Sequence, residues 1–223
     1  MKDRRIASVD KENKTTSILR AVFLDRDGVI NQKADEGRYI TRWADFHILP
    51  GAAEGLSLLY LAGFRVIVVT NQRCVAKGLL SESELESLHQ QMTALLARSG
   101  AVIDSIYYCP HEADLSCNCR KPAPGMLLAA AGAHDIDLSA SWMIGDSDID
   151  VRAGRNAGCK TVRVATSHTP SQADIFSGSS VSPDIIASSL LDAARQIIRW
   201  ETAATIDDQK VEHASTSLQN STR

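Results

Sequence analysis

Three of the chain's five cysteines and one of its histidines fall within the eleven residues of "CPHEADLSCNC", positions 109 to 119. Cys109, His111, Cys117 and Cys119 offer the thiolate and imidazole donors that tetrahedral zinc prefers, and four such donors leave no open position for a reacting water. The spacing therefore predicts a structural Zn²⁺, because this short polar segment has too little apolar surface to order itself without a metal. Cys74 and Cys159 lie outside the pattern and read as small packing residues. Carboxylates form a second set. Asp25 ends the run "AVFLD" with Asp27 just beyond it, and Asp146 ends "SWMIGD" with Asp148 and Asp150 following. Acids gathered at one place repel one another, and an all-oxygen cluster of this kind suits Mg²⁺. An isolated Asp-x-Asp or Gly-Asp is a common turn or cap. Here both occur in order with Thr70, Asn71 and Gln72 after one apolar run and with Arg120-Lys121 in a loop between runs, which favours the chemistry of an anionic substrate.

The elements that must position these groups are readable from periodicity. The runs 21–25, 65–70, 105–109, 141–146 and 161–165 each read as a buried strand, and helical patterns lie between them. The segment "SESELESLHQQMTALLARSG" opens with Ser81 and Glu84 spaced as a capping box, carries Leu85, Leu88, Met92, Leu95 and Leu96 on one face, and closes at Gly100. Further helices are expected after Pro50, after Pro124 and from about Asp150 to Gly158, with a last strand and helix within "PDIIASSLLDAARQIIRW". Alternation of this kind predicts an α/β fold, a doubly wound and mostly parallel sheet with no large cap domain, in which ligands bind beyond the carboxyl ends of the strands. Trp43, in the loop after the first strand, is expected either at the mouth of the site or as a hydrophobic plug, and His47, His89, His134 and His168 as surface or packing residues.

Length and charge restrict the remainder. A chain of 223 residues with 44% hydrophobic side chains supports one main core, taken as residues 20–200, and the polar stretches 1–19 and 201–223 are expected to be disordered. A net charge of −3 gives no electrostatic case for nucleic acid or an anionic membrane. No apolar run approaches the ~18 residues of a membrane span, and the first twenty residues lack the apolar centre of a secretory leader. A monomer in the cytoplasm acting on a small molecule is the expectation.

Taken together, "FLDRDGVIN", "VVTNQ" with "VAKG", "IYYCPH", "CNCRKPAPGML" and "IGDSDIDVRAG" resemble the haloacid dehalogenase-like phosphatases. Within them, the chain is similar to the D-glycero-D-manno-heptose 1,7-bisphosphate phosphatases and their histidinol-phosphate phosphatase relatives. The resemblance implies that Asp25 is the nucleophile, that Asp27 is the general acid and base, and that Thr70 and Lys121 bind the transferring phosphoryl group. It implies Mg²⁺ on Asp25, the backbone carbonyl of Asp27 and Asp146, with Asp150 as an outer or alternative ligand. Arg26, Asn71, Gln72, Arg73 and Arg120 are the expected contacts to substrate, Arg120 because it is tethered beside Cys119. The zinc loop of the family is an ordering device, in agreement with the spacing argument. The chain departs from the family's pattern at Arg73-Cys74 and at Ser147, and Arg73 is expected to supply the cation that a lysine at position 147 would have brought. A phospho-accepting signalling receiver is disfavoured, since its phosphorylated acid follows the third strand, where this chain has Cys109. A binding module with idle acids is disfavoured by the complete set of catalytic residue types. Histidinol phosphate remains the alternative substrate.

Overall fold

The computed structural model describes residues 19–113, 116–165 and 181–203. Six strands, β1 (Ala21–Leu24), β2 (Arg65–Asn71), β3 (Ser105–Cys109), β4 (Trp142–Gly145), β5 (Lys160–Val164) and β6 (Ile185–Ala187), form one sheet in the order β3-β2-β1-β4-β5-β6. Every pairing between them is parallel. Helices α1 (Ala52–Leu61), α2 (Glu82–Ala97), α3 (Gly125–His134) and α4 (Asp148–Ala157) connect the strands, and residues 190–203 are helical as well. The expected doubly wound sheet is present.

A parallel sheet covered on both faces requires strands that are apolar throughout, and β1 and β4 are buried at all four positions. The two-residue period divides them between the faces. Val22, Leu24, Val66, Val68, Trp142 and Ile144 pack with Leu56 and Leu59 of α1, Leu88, Met92 and Leu96 of α2, and Ala194 and Ile197 of the last helix. Phe23, Ile67, Val69 and Met143 face Met126, Leu127 and Ala130 of α3 and Ala153 of α4. Leu56→Ala in such a core would cost about 2–5 kcal/mol.

Helix α2 begins as the sequence predicts. The Glu84 amide donates to Ser81 Oγ at 3.2 Å, and the Ser81 amide donates to the Glu84 carboxylate at 2.8 Å. Its inward face differs in one member: Leu95 is 38% exposed, and His89 is buried with Leu85, Leu88, Met92 and Leu96. Ten residues after Leu85, Leu95 sits about 80° off that stripe, whereas His89, one turn on, lies within it. Trp43 stacks on Phe46 at 5.2 Å and packs against the core, so the plug is the outcome.

The strand order reverses at β1, whose neighbours are β2 and β4, and this opens a crevice at the carboxyl ends of β1 and β4. Asp25 remains in register just beyond β1, its amide donating to the Ile144 carbonyl at 2.9 Å. At the opposite edge the last helix runs beyond the boundary expected at residue 200. Glu201 accepts hydrogen bonds from Arg20 (2.7 Å), Trp142 Nε1 (3.0 Å) and Lys160 (3.1 Å), so residues 201–203 belong to the folded unit. Residues 1–18 and 204–223 and His168 lie outside the described residues. No described helix is long and apolar enough to cross a membrane.

Candidate active site

Parallel strands deliver Asp25 from β1, Thr70 from β2 and Asp146 from the residue after β4 to one edge of the sheet. Lys121 reaches the same point from the loop before α3. It is 2% exposed, and its ammonium donates to Asp25 Oδ1 (2.9 Å), Asp150 Oδ1 (2.7 Å) and the Val69 carbonyl (2.8 Å). All three donors of the ammonium are thereby used. Burial alone would push this lysine down, but Asp150 and Asp25 outweigh it and hold the ammonium well above the usual lysine value. Asn71 pins the segment from the side: its Nδ2 donates to the Lys121 carbonyl and its Oδ1 accepts from the Lys121 amide, both at 3.1 Å.

The acids around Lys121 are under-compensated. Burial, then Asp150, Asp146 and Asp27, push the Asp25 carboxyl up to about 7 against the pull of Lys121. Asp146 is likewise raised by burial, against the pull of Lys33, whose ammonium lies 2.8 Å from Asp146 Oδ2. Asp146 Oδ1 is buried and has no hydrogen-bond partner among the described residues. Carboxylate oxygens of Asp25, Asp146 and Asp150 all lie within 4.8 Å of one another. Octahedral Mg²⁺ at ~2.1 Å from each oxygen spans ligands about 3–4.2 Å apart, so the donor set and the orphaned oxygen fit that ion. Asp150 fits an outer position better than a direct one, since Lys121 takes Oδ1 while the Ser147 hydroxyl (2.5 Å) and amide (3.2 Å) donate to Oδ2. Gly28 (φ +89°) is required here, because a Cβ on it would lie 2.4 Å from Asp146 Oδ2.

Asp27 occupies the opposite environment. Burial would raise its carboxyl, but Arg26, Asn31 and Gln72 outweigh this and hold it below the usual carboxylate range. The donors are Arg26 Nη2 (3.0 Å), Asn31 Nδ2 (2.8 Å) and Gln72 Nε2 (3.0 Å). Arg26 and Gln72, expected to contact substrate, are instead 0% and 3% exposed and directed at Asp27. Gln72 Nε2 also donates to Thr70 Oγ1 at 2.9 Å. Asn71 likewise spends its amide on Lys121. A polar residue beside a catalytic acid supports it as readily as it faces the ligand, and sequence does not separate the two.

In the loop 109–119 the four predicted donors meet. Cys109 Sγ lies 3.5 Å from His111 Nδ1 and 3.8 Å from Cys117 Sγ, and Cys119 Sγ lies 3.2 Å from His111 Nδ1 and 3.5 Å from Cys117 Sγ. A tetrahedron with Zn–S near 2.3 Å has S···S edges of about 3.8 Å and slightly shorter N···S edges, so the cluster fits zinc. The loop seats on α3 through Gly125, where a Cβ would lie 2.1 Å from the Asn118 carbonyl oxygen. Arg120 donates to the His111 carbonyl at 3.3 Å and is partly buried. Arg73, expected to stand in for an absent lysine beside the phosphate, pairs with Glu112 of this loop. Lys33, Asn31, Glu112 and His89 were not singled out by sequence as parts of the site. Asn31, which closes "FLDRDGVIN", and His89, one turn after Leu85 on the inward face of α2, carried signals that could have found them.

An all-parallel sheet with an acid at each side of its switch point, a buried lysine and a strand-end threonine defines a phosphoryl-transfer hydrolase of the HAD class. Residues 118–193 match the HAD-hydrolase-like family model. A curated relative from Bordetella bronchiseptica, named D-glycero-beta-D-manno-heptose-1,7-bisphosphate 7-phosphatase, is 36% identical over 172 residues, covering 76% of this chain and 95% of its own length. A relative of the same name from Pseudomonas putida is 40% identical over 148 residues, covering 66% of this chain and 83% of its own length. The crystal structure of D,D-heptose 1,7-bisphosphate phosphatase from B. bronchiseptica, complexed with magnesium and phosphate, superposes with a TM-score of 0.74 at 33% identity, over 81% of this chain and 99% of that one. The chain belongs to the D-glycero-D-manno-heptose-1,7-bisphosphate 7-phosphatase family of HAD-like hydrolases.

Proposed function

We propose that the chain is a phosphoric monoester hydrolase that removes the 7-phosphate from D-glycero-D-manno-heptose 1,7-bisphosphate, using Mg²⁺ for catalysis and Zn²⁺ to order residues 109–119. The observation that carries the reading is the pairing of Asp25 with Lys121 at 2.9 Å beside the orphaned Asp146 oxygen, in the crevice between β1 and β4. An Asp25 oxygen forms a bond to phosphorus as the bond to the sugar oxygen breaks, and Asp27, which takes up a proton as the anionic substrate enters beside it, gives that proton to the leaving oxygen. Water then attacks the aspartyl-phosphate while Asp27 takes a proton from it, and inorganic phosphate leaves. Thr70 and Lys121 stabilise the charge that spreads over the phosphoryl oxygens. Mg²⁺, held by Asp25, the Asp27 carbonyl and Asp146, would neutralise the charge of nucleophile and substrate together. Arg120 is positioned by its place beside Cys119 to bind a substrate anion. The catalytic unit spans residues 20–203 and works as a cytoplasmic monomer on a small sugar phosphate, with no nucleic acid or membrane partner.

The test is phosphate release with Mg²⁺ from both anomers of the heptose bisphosphate, from histidinol phosphate and from a simple sugar monophosphate, with Asp25→Asn as control. A kcat/KM preference for one bisphosphate anomer, abolished in Asp25→Asn, is expected. Preference for histidinol phosphate would replace the substrate and keep the mechanism.

A further inference from the structure

We infer that His89, acting through Arg26, is a positioning residue for the Asp27 carboxyl group. The inference rests on the acid and base role proposed for Asp27. Arg26 is fully buried, and its guanidinium is used along two edges. On one edge Nε (3.2 Å) and Nη2 (3.0 Å) donate to Asp27 Oδ1, and Nη2 also reaches Asp27 Oδ2 (3.0 Å) and Gln72 Oε1 (3.1 Å). On the other, Nη1 lies 3.1 Å from His89 Nε2. A guanidinium only donates, so His89 Nε2 is the acceptor and the imidazole is neutral, its proton on Nδ1. Burial and the adjacent Arg26 push the His89 imidazole down to about 3, which keeps it an acceptor throughout the working range.

Leaving a donor of a buried cation unmet is costly, so an acceptor at Nη1 decides how the whole rigid fork is oriented. His89 provides it from α2, the Phe46 ring lies 5.6 Å from the guanidinium carbon, and Gln72 holds the remaining corner. Asp27 is the output of this arrangement. Its carboxyl is fixed by Arg26, by Asn31 at 2.8 Å and by Gln72 at 3.0 Å, whereas its side chain is still 24% exposed. Proton transfer depends on placement to a fraction of an ångström, and a supporting shell of this kind sets it. Removal of the His89 acceptor lets the fork turn and loosens the acid without touching nucleophile or substrate.

The experiment compares kcat/KM for the heptose bisphosphate, an alkyl ester whose leaving oxygen needs a proton, with 4-nitrophenyl phosphate, whose phenolate leaves without one. Wild type, His89→Leu, His89→Gln, Arg26→Lys and Asp27→Asn are measured with saturating Mg²⁺. His89→Leu should lose roughly tenfold on the alkyl ester, a part of the ~10²–10⁴-fold that a positioned acid supplies, and less than about twofold on the aryl ester. His89→Gln, which restores an acceptor oxygen, should recover most of the loss. Equal losses on both esters, or none on either, would overturn the inference. Arg26→Lys keeps the charge but not the fork and must show the same skew, so the inference remains testable if His89→Leu does not fold. An unskewed Asp27→Asn would remove the acid role and the inference with it. A skewed Asp27→Asn beside unskewed His89 and Arg26 variants overturns the inference alone.

Discussion

Asp25 and Asp27 stand two residues apart on one turn, yet their surroundings drive them in opposite directions. Burial and three neighbouring acids push Asp25 up to about 7 against Lys121, whereas Arg26, Asn31 and Gln72 overcome burial and hold Asp27 down. The half of the site around Asp25 has more anionic charge than the described residues neutralise and leaves an Asp146 oxygen without a partner among them. The half around Asp27 is satisfied by the chain itself. The difference teaches how one short motif serves two roles: one carboxylate is left in need of an external cation, and the other is held by fixed donors.

The largest expected effect comes from sharpening the charge deficit on the Asp25 side. Lys121→Met keeps the aliphatic stem and removes the ammonium bridging Asp25 and Asp150, so kcat should fall by about 10²–10³-fold. Equilibrium unfolding should show a loss of about 3–5 kcal/mol, the usual result of breaking a buried ion pair from one side. A kcat within tenfold of wild type would end the claim that this cation is essential. Next in size is the loop that carries this lysine. Cys117→Ser should abolish bound zinc in elemental analysis and lower the melting temperature, and undiminished zinc would strike Cys117 from the ligand set.

A smaller effect tests the Asp27 side through pH. His89 titrates near 6.5 in the unfolded chain and is pushed down to about 3 in the fold, so the unfolded state binds the extra proton on acidification. Its contribution is therefore present above pH 6.5 and lost as pH falls from there toward 3. Urea unfolding at pH 7 and pH 5 should show wild type losing about 2 kcal/mol more than His89→Leu over that interval. Equal losses would mean that the imidazole is not held neutral. Smallest is Arg73→Ala. The Arg73–Glu112 pair is partly exposed on both sides, so stability should change by less than about 1 kcal/mol and kcat should be unaltered. A large fall in kcat would show Arg73 acting at the phosphoryl group after all.

The sheet was legible because buried parallel strands are apolar runs, and three of those runs ended in Asp25, Thr70 and Asp146, which the crevice gathers. Asp25 and Asp146 could thus be placed by position, Lys121 by its loop between two runs, and the four clustered donors of residues 109–119 by type and spacing. The direction of a side chain was not legible. Arg26, Asn71 and Gln72 sit in the right motifs, but whether a polar group faces ligand or protein depends on partners far away in sequence, such as His89, 63 residues from Arg26. Lys33 lay in the loop after β1, which has no periodicity to fix its reach, and its pairing with Asp146 spans 113 residues. Glu201 was not legible for the same reason, since its polar surroundings hid a carboxylate with three distant donors.

That carboxylate bears on the order in which the molecule can be made. Glu201 joins the residue before β1 to the first residues of β4 and β5, and the last helix supplies Ala194 and Ile197 to the core face that β1 begins. A nascent chain therefore cannot close its first strand into a finished core until the helix over residues 190–203 has left the ribosome. Loss of even the last helical turn should leave the earliest-made strand waiting, its apolar face open to chaperones and proteases.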